Sequence, residues 1–296
     1  MEERPTAAGA LETEGEVVTT VENPATRVDN SHTPVVLGGT RGGPDTPTLR
    51  KDRWWLAPVV TVTILTSFVG YATWAAFVNK NYFAGSWMHR DLISPFYSPC
   101  IAASCVPGAS HGPTISLWTL SPALLILIFP LGFRMTCYYY RRAYYRSFWW
   151  APPACGVSDA HKSYSGESKF PLLIQNVHRY FFYFGLIFNA ILTYDAILAF
   201  HQPGIGYGVT VGTIVLTANA TLLWLYSLSC HACRHLCGGG VKSFSAHPVR
   251  AKLWKFLTPL NSKHMQFAWI SLFVVALTDL YVRLVASGTI TDFKLF

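Results

Sequence analysis

The sequence predicts an all-α integral membrane bundle of five transmembrane helices behind a disordered N-terminal tail, and three observations carry that prediction. Hydrophobic residues make up 51% of the 296 and charged residues only 13%, about half the charged share of an ordinary soluble domain. Five apolar stretches are long enough to cross a hydrocarbon core, which takes about 20 helical residues. Lysine and arginine gather in the connections between those stretches, the distribution that sets orientation in a bilayer.

The first 52 residues are read as a separate cytoplasmic tail. Nine of the fifteen acids fall at or before Asp52, whereas eighteen of the twenty-three basic residues lie beyond it. Residues 1–50 are rich in Glu, Thr, Gly and Pro and hold no apolar core of the length a signal peptide needs. Such a segment buries too little apolar surface to offset its ordering entropy. The net charge of +8 does not point to nucleic acid, because the basic residues border apolar segments, where membrane topology accounts for them.

The expected spans are 54–77, 115–135, 171–200, 207–229 and 265–285, all helical, since a lone segment in lipid satisfies its backbone groups only as a helix. Trp54, Trp55, Trp149, Trp150 and the tyrosines from Tyr138 to Tyr145 gather at proposed span ends, where interfacial aromatics belong. Arg134, Arg141, Arg142, Arg146, Lys162 and Lys169 follow the second span, and Arg234, Lys242, Arg250, Lys252, Lys255 and Lys263 follow the fourth. Both connections are therefore assigned to the cytoplasm. Arg50, Lys51 and Arg53 put the N-terminus on the same side, and five crossings leave the C-terminus outside.

The cysteines divide with this topology. Cys100 and Cys105 fall in the first external loop, where a disulfide is chemically permitted. Cys137, Cys155, Cys230, Cys233 and Cys237 fall at cytoplasmic helix ends, where a reducing compartment leaves metal binding or simple packing. In the stretch Ser-Cys-His-Ala-Cys-Arg-His-Leu-Cys-Gly-Gly, His231 and His235 are i, i+4 neighbours if the fourth helix continues, and can point at one metal. Cys230 is then rotated by about 100° from His231 and belongs to another wall or a second iron. His178 lies in the same cytoplasmic layer as a further ligand, a hydrogen-bond donor to quinone or an interfacial residue.

Two thiolates and two imidazoles are what a Rieske-type [2Fe-2S] cluster requires, although the soluble Rieske spacing is absent. A compact zinc site at Cys230, Cys233, His235 and Cys237 and axial haem ligation by the paired histidines are the alternatives. Asp195, Asp279 and Arg283 are ionisable groups within spans, read as an interhelical clamp or, with His89, His111 or His201, as a proton route or outer quinone pocket. A transporter reading is disfavoured by the lack of an inverted repeat and the odd helix count.

Taken together, Thr-Cys-Tyr-Tyr-Tyr-Arg-Arg-Ala-Tyr-Tyr-Arg from Thr136, Pro-Pro-Ala-Cys ending at Cys155, Gly-Glu-Ser-Lys-Phe-Pro-Leu-Leu-Ile-Gln-Asn-Val-His-Arg-Tyr ending at Tyr180, and the cysteine-histidine stretch from Ser229 carry a family resemblance. Residues 53–296 resemble the single-chain, five-helix membrane anchor of an actinobacterial type of succinate dehydrogenase, a succinate:quinone oxidoreductase whose anchor holds a Rieske-type [2Fe-2S] cluster instead of haem. The resemblance implies a plasma-membrane subunit that docks a flavoprotein and an iron-sulfur subunit and delivers electrons to quinone, menaquinone above all, with haem b as the alternative cofactor and a higher oligomer of the complex as an option. This chain has neither a flavin-binding fingerprint nor a ferredoxin-like cysteine run, so succinate chemistry belongs to the partners. Carried over as metal ligands are Cys137, Cys155, His178, Cys230, His231 and His235, with Cys137 and Cys155 favoured for one iron and two of the three histidines for the other. Arg141, Arg179 and Tyr140 are the expected quinone contacts. Arg141 and Arg142 are also candidates for docking the soluble partner. Cys233 and Cys237 depart from the family pattern Cys-His-x-x-Arg-His-x-x-Gly-Gly and leave a different ligand set open.

Overall fold

The computed structural model describes residues 48, 50–85, 91–110, 112–162, 169–202 and 206–296, with side chains of 169–176 and 202 outside that description. The proposed tail, apart from its last few residues, and His89 and His111 therefore lie outside the described residues.

Four long apolar helices are continuous. They are α1 (Leu56–Val78), α5 (Lys169–Phe200), α6 (Val211–Leu228) and α9 (His264–Ala286), the membrane-spanning part of α5 being Val177–Phe200. Helix α1 is apolar all round and only 11% of its spanning window is buried, against 50% for α9, so α1 lies at the periphery of the bundle and α9 in its interior. Helix α6 starts at a reciprocal cap, in which the Thr210 hydroxyl accepts from the Thr213 amide at 3.2 Å and the Thr213 hydroxyl accepts from the Thr210 amide at 3.0 Å. Those bonds satisfy backbone donors that water cannot reach there.

The second span differs from the expected 115–135. Residues before Ser121 are non-helical, and the chain then runs through α2 (Pro122–Ile126), α3 (Ile128–Thr136) and α4 (Tyr138–Ser147). The two arms, Pro122–Thr136 and Tyr138–Ser147, meet at a bend of 74°. Periodicity and hydropathy continue through Cys137, so the break is invisible to both. Physically it is an extended residue, Cys137 at φ −63° and ψ 129°, placed after Thr136, whose hydroxyl donates back to the Gly132 carbonyl at 2.7 Å. The fourth segment breaks the same way: α6 stops at Leu228, Cys230 is extended at φ −64° and ψ 141°, and a separate helix, α7 (His231–Gly238), follows. Helix α8 (Pro248–Ser262) then leads into α9.

The long connection after α1 is a folded cap rather than a plain loop. It contains the antiparallel pair β1 (Phe83–Ala84) and β2 (Leu92–Ile93), stacked Tyr82 and Tyr97 rings 4.1 Å apart, and a disulfide between Cys100 and Cys105. A second short pair, β3 (His201–Gln202) with β4 (Gly206–Tyr207), joins α5 to α6 at that same end. The cap is tied to the helices through two buried acids. Asp279 accepts from Tyr71 Oη at 2.5 Å, from Arg283 Nε at 2.7 Å and from Ser94 Oγ, and Asp195 accepts from Ser98 Oγ. Arg283 completes the clamp by donating to the carbonyls of Lys80 at 2.7 Å and Ala75 at 3.0 Å.

Candidate metal centre

At the opposite end of the bundle the two extended cysteines come together. Cys137 and Cys230 are 3% and 2% exposed. Each faces an imidazole from a neighbouring long helix: Cys230 Sγ lies 3.1 Å from His178 Nε2, and Cys137 Sγ lies 3.4 Å from His264 Nε2. The thiol of Cys230, just beyond the end of α6, is pushed up to about 12, by burial first and then by Cys137 beside it. The thiol therefore keeps its proton at neutral pH.

The surroundings of the two pairs repeat. Thr136 Oγ1 is 2.8 Å from His178 Nδ1, and Ser229 Oγ is 2.8 Å from His264 Nδ1. The Phe133 ring stacks on His178 with centroids 5.0 Å apart and planes 9° apart, while Tyr226 stacks on His264 at 5.1 Å and 11°. Phe133 and Thr136 stand at the same offsets from Cys137 as Tyr226 and Ser229 do from Cys230. The local pattern aromatic-x-x-hydroxyl-Cys at a helix break thus builds the same half-site twice. Close helix approach supports it, because a Cβ at Gly132 would lie 2.2 Å from the Phe181 ring.

The other predicted ligands sit elsewhere. Cys155 is exposed, 3.8 Å from Arg146 Nη2. His231 and His235 occur on α7 as expected i, i+4 neighbours, with rings 6.2 Å apart, but both face outward and His235 Nδ1 meets Arg179 Nη2 at 3.2 Å. Cys233 is buried on α7 close to Cys230, and Cys237 is partly buried beyond it. Among the described residues, no three His, Cys, Asp or Glu side chains converge to hold a single metal ion. His264 was missed by sequence reasoning: the repeated five-residue pattern marks the two cysteines but carries no sign of the histidine that each copy meets.

Phe133 and Tyr226 also line a half-open cavity of about 310 Å³ walled by α1, α2, α3, α5 and α6. Its wall is apolar, with Phe68, Leu127, Phe188 and Val275 among the lining residues, and its polar groups include Arg134, Asn189 and Ser227. Arg134 donates to Tyr140 Oη at 2.9 Å, to the Ala268 carbonyl at 3.2 Å and to Ser271 Oγ at 3.0 Å, and its guanidinium lies 4.6 Å from the Tyr226 ring centroid. It has no carboxylate partner among the described residues. The expected quinone contacts do not line this cavity: Tyr140 is buried behind Arg134, Arg141 is buried over the Tyr138 ring at 5.2 Å, and Arg179 is on the surface.

The comparisons with known proteins agree with this architecture. The family model for actinobacterial succinate dehydrogenase subunit SdhC matches residues 56–288. A chain of the solved structure of the Mycobacterium smegmatis Sdh1 complex in the apo form is 49% identical, with a TM-score of 0.77, covering 84% of this chain and 94% of that one. No curated protein matches the sequence significantly.

Proposed function

The chain belongs to the actinobacterial succinate dehydrogenase SdhC family, and on that premise we propose that it is the membrane anchor and electron-transfer subunit that links the soluble flavoprotein and iron-sulfur subunits to membrane quinone. The observation that carries this reading is the set of two buried thiols and two partly buried imidazoles. That is the donor set of a Rieske-type [2Fe-2S] cluster, and it fits in two further respects. Cys137 and Cys230 lie beside each other, as suits two thiolates on one iron, which leaves His178 and His264 for the other. They are also shielded by aromatic rings. Cys137, Cys230, His178 and His264 would hold the cluster. When bound, it supplies one-electron transfer at a potential raised by neutral imidazole in place of thiolate.

The chain's own residues do the rest. Phe133 and Tyr226 separate the donors from the cavity by the thickness of one ring and keep water from them. The cavity takes the apolar quinone, and its volume lies at the lower end of the range for small-molecule sites. Arg134 offers a charge-assisted hydrogen bond to a quinone carbonyl oxygen, which gains negative charge on reduction. Two electrons and two protons turn quinone into quinol, the electrons coming from succinate as the soluble subunits oxidise it to fumarate. A haem alternative needs two imidazoles free to face one iron, and here each Nε2 faces a thiol. Positive charge in the connections supports a cytoplasmic setting for this end of the bundle.

The test is iron and acid-labile sulfide analysis with low-temperature electron paramagnetic resonance on the purified complex. Cys137→Ser and Cys230→Ser are each expected to abolish the cluster signal and quinone reduction. A wild-type complex that carries haem and no such signal, or variants that keep both signal and turnover, would sink the reading.

A further inference from the structure

The hydrogen bonds around the two histidines decide which ring nitrogen is free. A hydroxyl has one proton to donate. In Thr136 it goes to the Gly132 carbonyl at 2.7 Å, and in Ser229 to the Tyr226 carbonyl at 2.9 Å. Toward the imidazole 2.8 Å away, each hydroxyl is left as an acceptor. Nδ1 of His178 and Nδ1 of His264 therefore carry the ring protons. The lone pairs sit on Nε2, the nitrogens that face Cys230 and Cys137.

We propose that Thr136 and Ser229 are a matched pair of positioning residues that lock both imidazoles as Nδ1–H tautomers and make Nε2 the metal-binding nitrogen at both half-sites. The inference rests on the reading of the four side chains as the holders of the cluster. The partner of an imidazole's second nitrogen sets its tautomer, its orientation and its basicity as a ligand. Here that partner comes from the residue just before each cysteine, so one helix break places a thiol and aims an imidazole. The stacked ring four residues before each cysteine holds the plane of the same imidazole. The arrangement also constrains the quinone site. Both Nδ1–H groups are consumed within the protein, so a quinone in the cavity meets the Phe133 and Tyr226 rings and Arg134 rather than an imidazole N–H.

The experiment uses the purified complex carrying histidine labelled with ¹⁵N at Nδ1 alone or at Nε2 alone, read by pulsed electron paramagnetic resonance of the reduced cluster. Strong nitrogen coupling is expected from the Nε2 label and only weak coupling from the Nδ1 label. Thr136→Val and Ser229→Ala are each expected to raise the midpoint potential or deplete iron, because the imidazole loses the acceptor that makes it a stronger donor. Thr136→Ser and Ser229→Thr are expected to restore the wild-type values. Strong coupling from the Nδ1 label overturns the proposal, as do unchanged potential and iron content in both Thr136→Val and Ser229→Ala, and either result leaves the ligand set standing. A wild-type complex with no nitrogen-coupled signal overturns the ligand set itself.

Discussion

The two ends of the bundle each bury a polar cluster, and they are built on opposite electrostatic plans. At the capped end Asp279 and Arg283 form an ion pair 2.7 Å long with Asp279 fully buried, and the remaining valences go to Tyr71, Ser94 and two backbone carbonyls. At the cysteine end the four donors are paired thiol to imidazole, with neither ring bonded to an acid among the described residues. Burying a charge is tolerable only when it is paired and hydrogen-bonded. The first cluster is thus complete in itself and acts as a clamp that fastens the cap to α1 and α9. The second is made of groups that are inexpensive to bury while neutral and ready to bind metal once the thiols lose their protons. A satisfied ion pair is a structural device, whereas neutral thiol-imidazole pairs beside a cavity suit the proposed site.

Mutations should break the two ends differently. The largest expected effect is at the clamp: Asp279→Ala leaves the Arg283 guanidinium buried without its carboxylate, a loss of about 3–5 kcal/mol. Thermal unfolding of the purified complex should report it, with Asp279→Asn nearly as harmful because charge, not shape, is missing. Unfolding temperatures equal to wild type in both would erase the distinction between the ends. Next comes Arg134→Gln, which removes a charged hydrogen bond worth about 1.5–3 kcal/mol and should raise the quinone KM by roughly ten-fold or more at that energy. If KM for quinone stays where it was, the cavity is not the quinone site. The smallest effects are expected at Cys155→Ser, His231→Ala and His235→Ala, surface changes of about 0.5 kcal/mol or less, with iron content retained. Iron loss in any of the three would move the metal centre away from the two helix breaks.

Much of this protein was legible before folding. The apolar runs marked the four continuous spans to within a few residues, since hydropathy over a span length depends on composition alone. Asp279 and Arg283 were legible as a pair because i, i+4 spacing fixes their proximity on any helix. The second span was misplaced because residues 115–121 are as apolar as a helix but belong to the cap, with Ile115 bridged to Ala102. Three of the six expected ligands stand apart from the paired cysteines and histidines for a related reason. Cys155 and the His231 and His235 pair look like ligands by local density, while His264 stands alone at the start of α9, 127 residues from Cys137 in sequence.

Composition and the order of apolar and basic segments determined by themselves that this chain is a helical membrane protein, where its four continuous spans lie, and that sulfur and imidazole gather near one end of the bundle. Tertiary structure alone decided which of those groups meet. Side-chain convergence depends on where two helices break and which helix packs against each break, and an extended residue in an otherwise helical run leaves no trace in hydropathy or period.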